Sequence, residues 1–131
     1  MIFYHFTAKR FVPSILKEGL TRGVMLKSWV GDKVEFIPHR QWITTKKEFD
    51  QGWSVGTGRL PYKRNEVRMT VDIPLEFMVN CKPWTQMRFL VPEVAKDLEN
   101  DERADPENWH IYQGNINPNW IVEVVENEAL K

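Results

Sequence analysis

An imidazole and a hydroxyl stand close together at the start of this chain, His5 and Thr7 in the run Ile2-Phe3-Tyr4-His5-Phe6-Thr7. The run is short, apolar and aromatic, the composition of a buried strand. A strand that ends in His and Thr can deliver both groups to the wall of a cleft. The same His also suits a core in which a backbone carbonyl satisfies its ring nitrogen, and the residues alone leave both readings open. Six Trp, seven Phe and three Tyr are many for 131 residues, and such rings either fill a core or wall a pocket for a flat ligand. Other chemistry is thinly supported. His5, His39 and His110 are too scattered for a metal site, and Cys81 beside Lys82 has no accompanying His-Asn pattern, which favours a buried structural thiol. Gly56-Thr57-Gly58-Arg59 lacks the Gly-Lys-Ser/Thr ending of a phosphate loop. Arg59, Lys63 and Arg64 suit a solvated charged loop, or contact with a pyrophosphate or a nucleic-acid backbone.

The elements that must position these groups are mostly strands. Phe11, Val12, Ile15, Leu16 and Leu20 recur at helical spacing, with Pro13 in the first turn and Gly19 placed for a left-handed cap. Residues 22–38 read as irregular apart from a strand around Val34–Ile37, and Gln41–Thr45 is rich in strand formers. A polar helical stretch is expected from Lys46 to Trp53, then a loop from Ser54 to Arg64. Val67–Ile73 alternates with period two, Trp109–Tyr112 is a further strand, and Trp120–Glu126 closes the chain as another. Trp84 is expected to pack, and Pro92–Asn100 to form a short exposed helix. The pattern predicts an α+β domain spanning residues 1–131.

Three segments, in order, resemble the ADP-ribosyltransferase family, including DNA-targeting toxins and small bacterial and phage relatives. They are Tyr4-His5-Phe6-Thr7 with Ile15-Leu16-Lys17-Glu18-Gly19-Leu20, then Trp42-Ile43-Thr44-Thr45, then Trp109 to Glu126. The resemblance implies two packed, antiparallel-rich sheets with a few short helices, and NAD as substrate. It implies that His5 and Thr7, with Phe6 between them, hold the nicotinamide ribose. It places Thr44 and Thr45 on the second family strand, and Phe49 or Trp53, on the helix after it, as the shelf for nicotinamide. Arg10 or Arg68 would meet the pyrophosphate, and Trp109 and Gln113 would complete the cofactor set. The family carries its catalytic Glu on a late strand. Here Trp109-His110-Ile111-Tyr112-Gln113 holds no acid, so Glu107 is the expected catalytic group alongside His5. Gln113 is a neutral substitute, Asp105 lies further off, and Glu123 reads as a solvent-facing residue of the last strand.

Eighteen basic and eighteen acidic side chains give a formal net charge of zero, so no global field recruits nucleic acid. Cys81 is the only cysteine, which excludes a disulfide framework, and no apolar run is long enough to span a membrane. A cytoplasmic protein without metal or membrane partners is expected. Three functions fit: mono-ADP-ribosyl transfer from NAD to a protein or nucleic-acid acceptor, as in a toxin or phage host-modifying factor; binding of NAD or an ADP-ribose-type nucleotide without catalysis; or an interaction protein that inhibits another enzyme.

Overall fold

Strand β1 (Ile2–Thr7) alternates Phe3, His5 and Thr7 with Ile2, Tyr4 and Phe6, so each face of the strand receives its own set of side chains. The computed structural model describes residues 1–49, 65–84 and 106–130. A 3-10 turn over Lys9–Phe11 leads into helix α1 (Val12–Glu18), which starts with Pro13 in its first turn and ends at Gly19. Gly19 has φ 87°, and a Cβ there would overlap the carbonyl oxygen of Ile116, so both the turn and the close approach require glycine. Strands β2 (Val24–Val30) and β3 (Lys33–Pro38) form a hairpin through Gly31-Asp32, with Gly31 at φ 59°. Then come β4 (Arg40–Thr44), β5 (Val67–Asp72), a 3-10 helix over Leu75–Asn80, β6 (Cys81–Pro83), β7 (Trp109–Gln113) and β8 (Ile121–Glu126).

The six longer-range strands make one sheet in the order β6-β7-β4-β1-β5-β8, and β2-β3 is a second, two-stranded sheet. Among the described residues every strand pairing is antiparallel. The expected α+β class, with antiparallel sheets and few short helices, is what the chain adopts.

Both faces of the large sheet are covered. On one, Phe3, Ile43, Val71, Cys81 and Tyr112 pack with Leu20 and Ile116, and Ile15 of α1 leans on this cluster. On the other, Trp109 and Ile111 meet Met25 and Ile37 of the hairpin, with Trp84 and Trp42 beside them. The Trp42 indole also donates to Val24 O at 3.1 Å, tying the two sheets together. Each large apolar side chain fully buried here contributes about 1.5–3 kcal/mol by transfer from water. Trp84 is 1% exposed and packs as expected.

Two expectations need correction. Val24–Val30 is a strand rather than irregular chain, paired to β3 from Val24↔Pro38 to Val30↔Lys33. Lys46–Phe49 is not helical. Lys46 N–H donates to the Thr44 hydroxyl at 3.1 Å, and Lys47 O accepts from Arg68 at 2.9 Å, so side chains take backbone groups that a helix would use. The expected helix over Pro92–Asn100 and the remainder of the one over Lys46–Trp53 lie outside the described residues. Among the described residues, no helix is long and apolar enough to cross a membrane.

Candidate functional site

Register determines which of the candidate residues can meet. Tyr4 lies opposite Thr44 of β4 and Thr70 of β5, Thr44 lies opposite Trp109, and Thr70 lies opposite Glu123. One cross-strand row therefore runs Trp109, Thr44, Tyr4, Thr70, Glu123 over the face that also holds the hairpin. The adjoining row pairs Phe6 with Arg68. His5 pairs with Met69, which is fully buried, and alternation puts it with Phe3 and Thr7 on the opposite face. Of the cofactor set, then, Phe6, Thr44, Arg68 and Trp109 share one face, while His5 and Thr7 belong to the other.

The first face has a distinct centre. The Arg68 guanidinium lies 5.5 Å from the Tyr4 ring centroid and 5.3 Å from that of Phe49. Phe49 in turn meets Phe6 edge-on, with centroids 5.7 Å apart. Arg68 Nη1 donates to Lys47 O, and Nη2 lies 3.8 Å from Glu123 Oε1. The Thr70 hydroxyl donates to that same oxygen at 3.1 Å. Arg68 is only 17% exposed, and its Nε is buried with no acceptor among the described residues, so the side chain is committed to internal contacts. Glu123 is 57% exposed and presents its carboxylate at the rim of the cluster.

Glu123 is the residue that strand alternation alone assigned to solvent. It does leave the main core, but it emerges on the face where Arg68 and Thr70 emerge. Pairing of β8 with β5 was the missing information, and no local signal supplies it.

The other expected residues separate from this centre. His5 Nδ1–H donates to Trp42 O at 2.9 Å, which ties β1 to β4 and matches the reading of a histidine satisfied by a backbone carbonyl. Thr7 is buried. Thr45 is bonded through its hydroxyl to Asn108 Oδ1 at 3.1 Å and through its N–H to Asn108 O. Trp109 is 4% exposed and belongs to the core under the hairpin. Arg10 is exposed, with its guanidinium over the Phe11 ring. Glu107 sits exposed in a 3-10 turn over Pro106–Asn108. It precedes β7, whose Trp109 is linked to β1 only through Thr44 of the intervening β4. Trp53, Arg59, Lys63, Arg64 and Asp105 lie outside the described residues. Gln113 lies at the far end of β7, opposite Arg40.

Cys81 is buried in the first core cluster, and burial pushes its thiol up to about 11, with Lys82 opposing the shift. A thiol so placed is inert as a nucleophile near neutral pH. Among the described residues, no group of three or more His, Cys, Asp or Glu side chains is arranged to hold a metal ion. No protein-family model, curated protein or solved structure matches this chain.

Proposed function

We propose that this chain is an ADP-ribosyltransferase-like protein that binds NAD on the face carrying Phe6, Phe49, Thr70 and Glu123, and transfers ADP-ribose to a protein or nucleic-acid acceptor. One observation carries the reading: a ring, a buried cation and an exposed carboxylate, brought from separate segments, meet at Phe49, Arg68 and Glu123. The two-sheet, antiparallel architecture with β1 inside the sheet agrees with it.

The residues fit NAD in two respects. The Phe49 ring is partly exposed and contacts both Phe6 and the Arg68 guanidinium, which suits it as a shelf for a flat ring. Glu123 offers an anion fixed by the Thr70 hydroxyl. Arg68 serves as a positioning residue, because its guanidinium is occupied by two rings, Lys47 O and Glu123. The exposed cations for a pyrophosphate are Arg10, and Lys47 on the segment that carries Phe49.

NAD supplies the ADP-ribosyl group, with nicotinamide leaving as the bond to the ribose breaks. Positive charge develops on the ribose as that bond lengthens, and the Glu123 carboxylate stabilises it. Phe49 orients the leaving ring, and Arg68 keeps Phe49 and Glu123 in register. His5, by joining β1 to β4, holds the strands that carry Tyr4 and Thr44.

A second reading, NAD or ADP-ribose binding without transfer, is favoured by the contacts of Glu123, whose Oε1 already accepts from Thr70 and faces Arg68. Incubating the protein with labelled NAD and a cell lysate separates the two. Transfer that falls by about 10²–10³ in Glu123→Gln, with NAD affinity within a few-fold, supports catalysis. Saturable binding with no labelled product selects the binding module. Loss of transfer in Glu107→Gln, with Glu123→Gln fully active, returns the acid to Glu107.

A further inference from the structure

A concavity lies on the face of the large sheet opposite the Phe49 cluster, beside Tyr112 of β7. It is an open groove of about 450 Å³, within the size range of small-molecule sites. Its rings are Phe77, Tyr112 and Trp120. Phe77 and Trp120 are 4.8 Å apart at 45°, and Tyr112 meets Trp120 edge-on at 6.0 Å. Phe77 is 38% exposed. No two of these rings are parallel, so there is no slot in which a planar base could be sandwiched. The rings instead offer one-sided apolar contact.

The polar lining consists largely of side-chain amides. Asn115 Oδ1 accepts from His39 Nδ1–H at 2.7 Å, and Asn117 Oδ1 accepts from Asn119 N–H at 2.9 Å. With their oxygens engaged, the NH₂ groups are the donors these two amides have left to offer. Glu18 adds an acceptor, and no Lys, Arg or His lines the groove. That lining disfavours phosphate or carboxylate ligands and suits hydroxyls, which donate to Glu18 and accept from the amides.

The segment bearing these amides is fixed before any ligand arrives. Leu20 and Ile116 exchange backbone hydrogen bonds at 3.0 Å in both directions, Gly114 N–H donates to His39 O at 2.7 Å, and Gln41 Nε2 donates to Gly114 O at 3.2 Å. His39 itself has φ 55°, a left-handed conformation held by these contacts. A preorganised donor set lowers the entropy cost of binding.

We infer that this groove binds a neutral, hydroxyl-rich saccharide, with the apolar face of a pyranose ring against Phe77 and Trp120 and its hydroxyls on Asn115, Asn117 and Glu18. The test is an amide-resolved NMR titration of the labelled protein with methyl glucoside, methyl mannoside, methyl galactoside and N-acetylglucosamine, each carried into the millimolar range, and with adenosine as a planar comparison. At least one glycoside is expected to shift the Trp120 indole and the 114–117 amides saturably. Asn115→Ala is expected to weaken that binding about tenfold, the scale of one lost hydrogen-bonding side chain. Phe77→Ala, at a partly exposed position, provides a second variant should the first disturb the His39 turn, and it should weaken binding to a similar degree. Absence of saturable shifts with all four sugars overturns the proposal, as do shifts confined to residues outside the groove. Saturation by adenosine alone overturns the saccharide class.

Discussion

Arg68 and Phe49 face each other at 5.3 Å, and through that contact the segment after β4 is fastened onto β5. The Tyr4 ring centroid lies 5.5 Å from the same guanidinium, and Lys47 O takes one guanidinium hydrogen bond at 2.9 Å. The planar, delocalised cation suits both jobs, since it stacks on rings while its edge donates.

Arg68→Ala should therefore cost about 1–3 kcal/mol of stability, combining lost ring contacts with an unmade hydrogen bond. Arg68→Lys should recover less than half of that, because an ammonium cannot stack on two rings and donate sideways together. Urea unfolding of the three proteins measures both, and equal stability of all three would show these contacts to be energetically empty.

His5→Ala should lose about 0.5–1.5 kcal/mol, the net contribution of one hydrogen bond between β1 and β4. It should change NAD affinity by no more than a few-fold, because His5 lies on the face away from Phe49. A large, ligand-specific loss of affinity with unchanged melting would return His5 to the ribose contact that the family resemblance implies.

Gly19→Ala should destabilise by roughly 1–3 kcal/mol or more, since the added Cβ both opposes φ 87° and meets the Ile116 carbonyl. Gly31→Ala, where φ is 59° but nothing lies near, should cost less. Comparing the two by thermal unfolding isolates the steric part from the backbone part.

The buried Cys81 thiol titrates at about 11 in the folded chain against 9.0 for the ordinary thiol. Below the unfolded value both states hold the proton and the thiol leaves stability untouched. As pH rises from there, the unfolded chain binds fewer protons than the folded one, so stability falls until about 11. Alkylation of Cys81 at mildly alkaline pH should accordingly track unfolding. Rapid labelling of the folded protein would contradict this.

Much of the fold was legible in local pattern. β5 and β8 follow from alternation, β1 from its apolar, aromatic composition, and α1 from its spacing between Pro13 and Gly19. β2 was not, because Val24-Met25-Leu26-Lys27-Ser28-Trp29-Val30 shows no clean alternation and is defined by its pairing with β3. The short Gly31-Asp32 turn was the available signal. The Lys46–Phe49 segment escaped for another reason: Thr44 and Arg68 bind its backbone, and one of them comes from a distant strand. The site was read less well than the fold. Residue types singled out Phe49 as a ring and Arg68 as a cation, and the structure brings the two together beside Phe6, but face assignment across β4, β1, β5 and β8 is a tertiary property. It moved His5 away from them and brought Glu123 in.

The central claim, that NAD binds at the Phe49 cluster, is tested most directly by thermal unfolding against NAD concentration, for the unaltered chain and for Phe49→Ala. A native-state ligand at a hundredfold over its dissociation constant adds about 2.7 kcal/mol. The melting temperature of the unaltered chain should rise steadily with the logarithm of NAD concentration, and that of Phe49→Ala should stay nearly flat. A flat response in the unaltered chain, or an equal rise in both, would contradict the account.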